Sequence, residues 1–172
     1  PEGTPLLLDQ FISLLSVHKF LKPDKIYVWN NHAPVGDWWE AFLKRSPPVV
    51  LVHKEPPQSI FNQPVNIIEH QADVARIDIL LHHGGIYLDL DVVILKSFDP
   101  LLKYDVTMGA ESPDLLGSGL ILSKPNSTFL KLWREAYRNF TDESWNELSV
   151  RKPMEIAKEN PKPPECGCET SM

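Results

Sequence analysis

Apolar residues along the chain recur at two spacings, one typical of helices and the other of strands. Residues 6–21 repeat at helical spacing, and Pro23 ends that pattern. The same spacing predicts a helix over residues 71–83, which a Gly-Gly pair ends, and another over residues 128–137. The predicted buried stripe of this last helix consists of Phe129, Leu132, Trp133 and Ala136.

Shorter apolar runs predict strands at residues 26–29, 49–52, 86–95, 106–110 and 120–122. The strand over residues 86–95 is expected to break near the two acidic residues 89 and 91. The uninterrupted run 49–52 is typical of a strand covered on both faces. A short helix is predicted from Asp37, with Trp38 and Trp39 interpreted as one core residue and one at its rim. Strands that alternate with helices, with few hairpin signals, predict an α/β fold with a mainly parallel sheet.

The composition is that of one globular domain of 172 residues with a net charge of -6. We expect residues 1–160 to form this domain and the proline-rich residues 161–172 to be a disordered tail. Cys166 and Cys168, in that tail, fit neither a four-ligand zinc site nor a redox pair. The negative charge argues against a nucleic-acid partner, and an acidic protein that binds a diphosphate needs a cation between them.

The chain begins at Pro1 without an initiator Met, so we expect it to be part of a longer parent. No run reaches the roughly 18 apolar residues of a membrane span. The triplets that begin at Asn126 and Asn139 match the acceptor pattern for N-glycosylation. They favour the lumen of the secretory pathway only weakly, because such triplets arise often by chance.

Candidate chemistry is concentrated in residues 70–95. Asp73 and Arg76 are three residues apart on a predicted helix and therefore share a face. Such a pair either holds hydroxyls and phosphate oxygens or is a surface ion pair, and the pair alone favours the surface ion pair. Gly85 either serves the helix end or lets the backbone approach a ligand closely.

Asp89 and Asp91 form an Asp-x-Asp pattern near the expected break in the predicted strand 86–95. In an extended chain, Tyr87, Asp89 and Asp91 project from one face. Two carboxylates beside apolar runs repel each other and are poorly solvated, and a divalent cation relieves both problems. Oxygen ligands suit magnesium or manganese, which keep waters and share substrate phosphates. The pattern favours a metal site over two exposed acids at a strand end.

The segment ADVARIDILLHHGGIYLDLDVV closely resembles a known sugar-binding region that contains the DxD motif. That region is shared by the yeast initiating α-1,6-mannosyltransferases, the α-1,4-galactosyltransferase relatives and, more distantly, the clostridial glucosylating toxins. The likeness is sharp over residues 72–100 and looser at 120–123 and 129–133. Ala-Asp-x-x-Arg, Gly-Gly-x-Tyr and Asp-x-Asp together are more specific than Asp-x-Asp alone.

The resemblance implies a fold of the GT-A type, a nucleotide-diphospho-sugar transferase sandwich, here incomplete at both ends. It implies that Asp73 and Arg76 contact the donor sugar and that Tyr87 lines the same pocket. By the same resemblance, Asp89 lies near the ribose and the metal, and Asp91 is the direct metal ligand. These two acids are the expected catalytic centre.

The resemblance also implies the reaction, which is hexose transfer with retention, dependent on Mn²⁺ or Mg²⁺. The expected donor is a UDP-hexose first and GDP-mannose second, and the acceptor is a glycan or glycolipid. The parent is expected in the Golgi lumen as a type II single-pass membrane protein whose anchor is not in this chain. Gly85 and Glu111 complete the expected donor site, although the sequence favours Glu111 as a solvated loop acid after the next strand over a contact with sugar or metal.

Two alternatives stay open from the sequence. The chain is either an active enzyme or an inactive or truncated relative that binds sugar nucleotides or serves as a partner domain. Alternatively, Asp89 is the covalent nucleophile of a haloacid-dehalogenase-type phosphatase, whose Asp-x-Asp also follows an apolar strand. That mechanism needs a downstream lysine and an acidic pair for magnesium. Lys124 is available, but no convincing acidic motif follows a strand.

Overall fold

The computed structural model describes residues 3–141 and 147–160. They form two compact units, the first from residues 3–55 and 89–100 and the second from the remaining described residues. Each unit has an apolar core of its own. The predicted tail, with Cys166 and Cys168, lies outside the described residues.

The first unit alternates two helices with two strands. These elements are α1 (Leu8–Phe20), β1 (Ile26–Asn30), α2 (Asp37–Leu43) and β2 (Val49–His53). β1 and β2 are parallel neighbours, with Ile26 opposite Val49. The core forms where Phe11 and Leu14 of α1 pack with Phe42 of α2. All four elements confirm the predicted ones to within a few residues.

The expected cover of β2 on both faces is wrong. Leu51, in the middle of the strand, is 47% exposed. The β1–β2 sheet has only two strands within the described residues, so it presents less surface to cover than a wide parallel sheet does. The prediction for the α2 aromatics is confirmed, because Trp39 is buried and Trp38 is 42% exposed.

The second unit contains two hairpins and three α-helices. Its elements are β3 (Ser59–Ile60), β4 (Gln63–Pro64), α3 (Ile68–His83), β5 (Gly85–Leu88), β6 (Val106–Ser112), β7 (Leu115–Ser123), α4 (Thr128–Ala136) and α5 (Lys152–Glu159). Short turns of 3₁₀ or π type lie at Asp99–Leu101, Tyr137–Asn139 and Glu147–Arg151. The α5 helix was missed because few apolar positions mark it before the proline-rich tail.

The expectation of a mainly parallel sheet is wrong. The second unit holds a three-stranded sheet in the order β5-β7-β6, and both of its pairings are antiparallel. β6 and β7 form a hairpin, as do β3 and β4. Among the described residues, only β1 and β2 pair in parallel. The fold is therefore a mixed α/β structure with small, fragmented sheets.

The second core lies between α3, the antiparallel sheet and α4. Val74, Ile77 and Leu80 of α3 are almost completely buried, as are Leu130 and Trp133 of α4. The predicted buried stripe of α4 is confirmed at Phe129 and Trp133. It is wrong at Leu132, which is 41% exposed, and Leu130 is buried instead. Among residues 3–141 and 147–160, every helix is too short or too polar to span a lipid bilayer.

Candidate active site

The acidic pair lies in a turn rather than in a strand. β5 ends at Leu88, and the Val92 amide donates to the Asp89 carbonyl at 3.3 Å, which closes the turn Asp89-Leu90-Asp91-Val92. The predicted break near the acidic pair is therefore confirmed, but the predicted continuation of the strand after it is wrong, because residues 89–95 contain no strand. The alternation of side chains expected of an extended chain does not hold in this turn, and Leu90, assigned to the apolar face, is 40% exposed. Pairing with β7 defines where the strand stops, since Leu88 is the last residue with a β7 partner.

The two carboxylates differ in their surroundings. Asp91 is exposed, whereas Asp89 is partly buried. Within residues 3–141 and 147–160, no three His, Cys, Asp or Glu side chains are grouped as a metal site. The acidic pair thus offers a cation at most a few carboxylate oxygens. This donor set fits Mg²⁺ or Mn²⁺, which bind through one or two carboxylates and take their other ligands from water and substrate phosphates.

Asp73 and Arg76 form a buried ion pair in the second unit. Their side chains are 7% and 8% exposed, and Arg76 Nη1 lies 3.5 Å from Asp73 Oδ1. The interpretation as a surface ion pair is therefore wrong. Desolvation of both charges offsets much of their attraction, so a buried pair adds little stability. Burial of this pair therefore calls for an explanation other than stability.

An irregularity in β7 holds the Arg76 guanidinium. Met108 of β6 pairs with Ile121, but the next residue, Gly109, pairs with Gly117, so three residues of β7 bulge without a β6 partner. Ser118 lies in this bulge. Arg76 Nη1 donates to its carbonyl at 2.8 Å and to its hydroxyl at 2.7 Å. The contact of Ser118 with Arg76 was not predicted, although Gly117 and Gly119 on either side of Ser118 are typical of a bulge inside a strand.

Two tyrosines adjoin this ion pair. The Arg76 Cζ atom lies 4.9 Å from the centre of the Tyr87 ring, which is a cation–π contact. Tyr137 follows α4 and is 1% exposed, and its hydroxyl has no hydrogen-bond partner in the described part of the chain. Burial, and next the negative charge of Asp73, raise the pKa of Tyr137, while Arg76 opposes the shift. Tyr137 therefore stays neutral across the physiological range.

The glycine pair after α3 has two different environments. Gly84 caps the helix at φ +65°, and a Cβ added there would lie 2.7 Å from the Pro125 ring. Gly85 has φ +104°, and a Cβ there would meet nothing within 4 Å. The predicted helix end is confirmed at Gly84. Open space beside Gly85 is consistent with close approach of a ligand, which stays a prediction.

Glu111 is the remaining predicted site residue. It lies near the end of β6, beside a register irregularity between Ala110 and Ser112, rather than in a loop after the strand. Its side chain is exposed. Its contact with sugar or metal stays a prediction.

Comparisons with known proteins cover the segment that holds these residues. Residues 12–107 match the family described as "Glycosyltransferase sugar-binding region containing DXD motif". Glucan organizing enzyme 1 of Cryptococcus neoformans var. grubii is 35% identical over 169 residues, which is 92% of this chain and 45% of that protein. Inositol phosphoceramide mannosyltransferase 3 of Schizosaccharomyces pombe is 43% identical over 58 residues, which is 34% of this chain and 16% of that protein.

A solved structure resembles the whole fold. The PaToxG glycosyltransferase matches with a TM-score of 0.64 at 13% identity, over 92% of this chain and 65% of that chain. At this identity the likeness concerns the fold alone. The chain spans less than half the length of the glucan organizing enzyme that it matches.

Proposed function

The chain belongs to the glycosyltransferase family whose sugar-binding region contains the DXD motif, and we propose that it transfers a hexose from a nucleotide-sugar donor to a glycan or glycolipid acceptor. The reaction depends on a divalent metal and retains the anomeric configuration. Asp89-Leu90-Asp91 is the proposed DXD motif, because it is an Asp-x-Asp pattern inside the matched residues 12–107. Membership of the family argues against the phosphatase alternative.

The acidic turn is the observation that carries this proposal. Asp89 and Asp91 lie within four residues of chain that a backbone hydrogen bond closes, in a protein with net charge -6. A donor diphosphate brings further negative charge to this surface, and such an approach is unfavourable without a cation. Asp91 is the proposed direct ligand of Mn²⁺ or Mg²⁺, and Asp89 the ligand shared with the ribose. The metal supplies Lewis-acid neutralisation of the diphosphate leaving group.

The buried ion pair is the proposed sugar-contacting group. Ser118 and Tyr87 hold the Arg76 guanidinium by a hydrogen bond and a ring contact, so little side-chain entropy remains to be lost when a hexose binds. Asp73 is the proposed acceptor for sugar hydroxyls. Gly85, whose missing side chain leaves open space, and the exposed Glu111 are proposed to add to donor binding.

The identity of the sugar is proposed as mannose or another hexose. One relative is named an inositol phosphoceramide mannosyltransferase, which brings mannose forward and supports a glycolipid acceptor. GDP-mannose therefore enters a donor test on equal terms with UDP-hexoses. We further propose a Golgi-lumenal parent anchored as a type II membrane protein. Exposure of Asn126 and Asn139, which begin the two glycosylation triplets, agrees with that location.

The decisive experiment replaces Asp91 with Asn. We expect Asp91→Asn to lower Mn²⁺-dependent donor hydrolysis and transfer by at least about 100-fold, because a direct metal ligand is lost. Asp24→Asn is the matched control, since Asp24 is an exposed acid of the same unit outside the motif and its replacement changes the net charge equally. Donor turnover is measured for a panel of nucleotide sugars, with Mn²⁺ and with chelator.

Three outcomes separate the readings. Wild-type turnover that Asp91→Asn abolishes and Asp24→Asn retains supports the proposal. Equal activity of both variants, or full activity in chelator, contradicts it. A thermal shift with donor and Mn²⁺ but no turnover indicates the inactive or truncated relative that binds sugar nucleotides.

A further inference from the structure

Two buried serines of α1 hold the backbone that leaves the acidic turn. Ser13 and Ser16 are 2% and 7% exposed, although serine in a helix usually faces solvent. Ser13 Oγ donates to the Val92 carbonyl at 2.6 Å. Ser16 Oγ accepts from the Ile94 amide at 2.8 Å and donates to the Ser13 carbonyl at 2.6 Å. Ser13 therefore donates a hydrogen bond to the segment that follows the turn, and Ser16 accepts one from it.

The spacing of these bonds suits the two segments. Ser13 and Ser16 share one side of α1, while Val92 and Ile94 are two residues apart on the facing segment, so neighbouring hydroxyls reach both backbone groups. The Ile94 side chain is also buried, at 2% exposure. Residues 92–94 are therefore held in place by two backbone hydrogen bonds and by the packing of the Ile94 side chain.

The hydrogen bonds of Val92 restrict the backbone of its neighbour Asp91. Val92 is bonded on both sides, through its amide to the Asp89 carbonyl and through its carbonyl to Ser13. Asp91 is exposed and precedes Val92 directly, so the position of its Cα follows from the fixed Val92 peptide. A metal ligand on an exposed turn gains affinity when its backbone is ordered in advance, because less conformational entropy is lost on binding.

We propose that Ser13 and Ser16 are positioning residues for the metal site, which they order through the Val92–Ile94 backbone. This inference rests on the proposed function of Asp89 and Asp91. Neither serine touches the metal or the donor in this role. Their contribution is to the affinity of the acidic turn for a divalent cation.

The test measures Mn²⁺ affinity in Ser13→Ala and Ser16→Ala. Outer residues that orient metal ligands typically contribute 10- to 100-fold in affinity, and we expect each variant to weaken Mn²⁺ binding by roughly ten-fold. Binding is followed by the electron paramagnetic resonance signal of unbound Mn²⁺, for Mn²⁺ alone and with GDP-mannose or a UDP-hexose present. Amide hydrogen exchange of residues 89–95 is measured in parallel and should accelerate in both variants.

The matched control is Ser127→Ala. Ser127 is 1% exposed, caps α4 by accepting from the Leu130 amide, and lies in the second unit. Loss of this cap destabilises α4 and lowers the melting temperature without changing the acidic turn. The control therefore separates a general loss of stability from disorder of the acidic turn. We expect Ser127→Ala to melt at a lower temperature and to bind Mn²⁺ as the wild type does.

The outcomes are distinguishable from failure of the proposed function. A wild-type chain that binds no Mn²⁺ overturns both proposals. Wild-type binding with unchanged affinity in both serine variants overturns the positioning role alone, as does an equal loss in Ser127→Ala. Should an alanine variant fail to fold, Ser13→Cys and Ser16→Cys keep the volume and bond only weakly. Their Mn²⁺ affinity must then fall in the same direction for the inference to stand.

Discussion

The burial and hydrogen bonding of Arg76 depend on residues that are far from it in the sequence. Its spacing from Asp73 predicts that the two share a helix face. Whether that face is buried depends on β7, whose bulge brings the Ser118 carbonyl and hydroxyl to the guanidinium. Gly117 and Gly119 are a local signal for a bulge in this strand, but which side chain the bulge receives depends on the packing of α3 against it. The pair was therefore predictable from the sequence, but its burial was not.

Tyr137 leads to a prediction about stability and pH. Its buried hydroxyl has no partner among the described residues, so Tyr137→Phe should raise the free energy of unfolding by about 1 kcal/mol at neutral pH. Burial raises the folded-state pKa of Tyr137 above its ordinary value near 10. Above pH ~10 the tyrosine ionises in the unfolded chain first, so the wild type loses stability there as pH rises.

Urea denaturation of both proteins between pH 7 and 11 measures this effect. The advantage of Tyr137→Phe should widen above pH ~10, because phenylalanine does not titrate. If the stability curves of the two proteins instead run parallel between pH 7 and 11, the Tyr137 hydroxyl is solvated or hydrogen-bonded in the folded protein.

At the scale of elements, the helix end at Gly84 was predictable and its tight packing was not. Gly84→Ala combines a positive φ with a Cβ only 2.7 Å from Pro125, so we expect a loss of more than about 3 kcal/mol in unfolding free energy. Gly85 also has a positive φ, but an added Cβ would meet no atom within 4 Å. Gly85→Ala should therefore lower the unfolding free energy by the backbone strain only, about 1–3 kcal/mol. Urea denaturation compares the two variants, and an equal or smaller loss at Gly84 contradicts the packing described.

Helices and strands followed from local spacing more reliably than their pairing did. α1 and α3 are marked by apolar periodicity and by Pro23 or glycine at their ends, all of which are local signals. The direction of β5 against β7 depends on residues more than thirty positions apart, and no hairpin signal links them. The end of β5 at Leu88 has the same origin. The break near the acidic pair was therefore predicted, but the strand was expected to continue after it, where the structure has none.

At the scale of the molecule, the class of enzyme was predictable and the division of the chain was not. Ala-Asp-x-x-Arg, Gly-Gly-x-Tyr and Asp-x-Asp lie within twenty residues and identify the family together. In the structure, Asp73, Arg76 and Tyr87 belong to the second unit, whereas Asp89 and Asp91 belong to the first. Such a division depends on which segments pack together, and α1 is more than sixty residues before the acidic turn that it holds.

The short β1–β2 sheet has a consequence for handling the isolated chain. Within the described residues, neither outer edge of this sheet pairs with another strand. Unpaired edges with apolar neighbours are templates for intermolecular strand addition, and Tyr27 and Leu51 are 55% and 47% exposed. We expect reversible self-association that grows with protein concentration.

Sedimentation velocity at rising concentration tests this expectation. Leu51→Lys should suppress the association, because an edge lysine blocks strand addition. Leu43→Lys, the same change on the exposed side of α2, should not suppress it. If both variants disperse the oligomers equally, general surface hydrophobicity is responsible. If only Leu51→Lys does so, the β1–β2 edge is a docking strand, and an added strand from another polypeptide would compete with the oligomer for it.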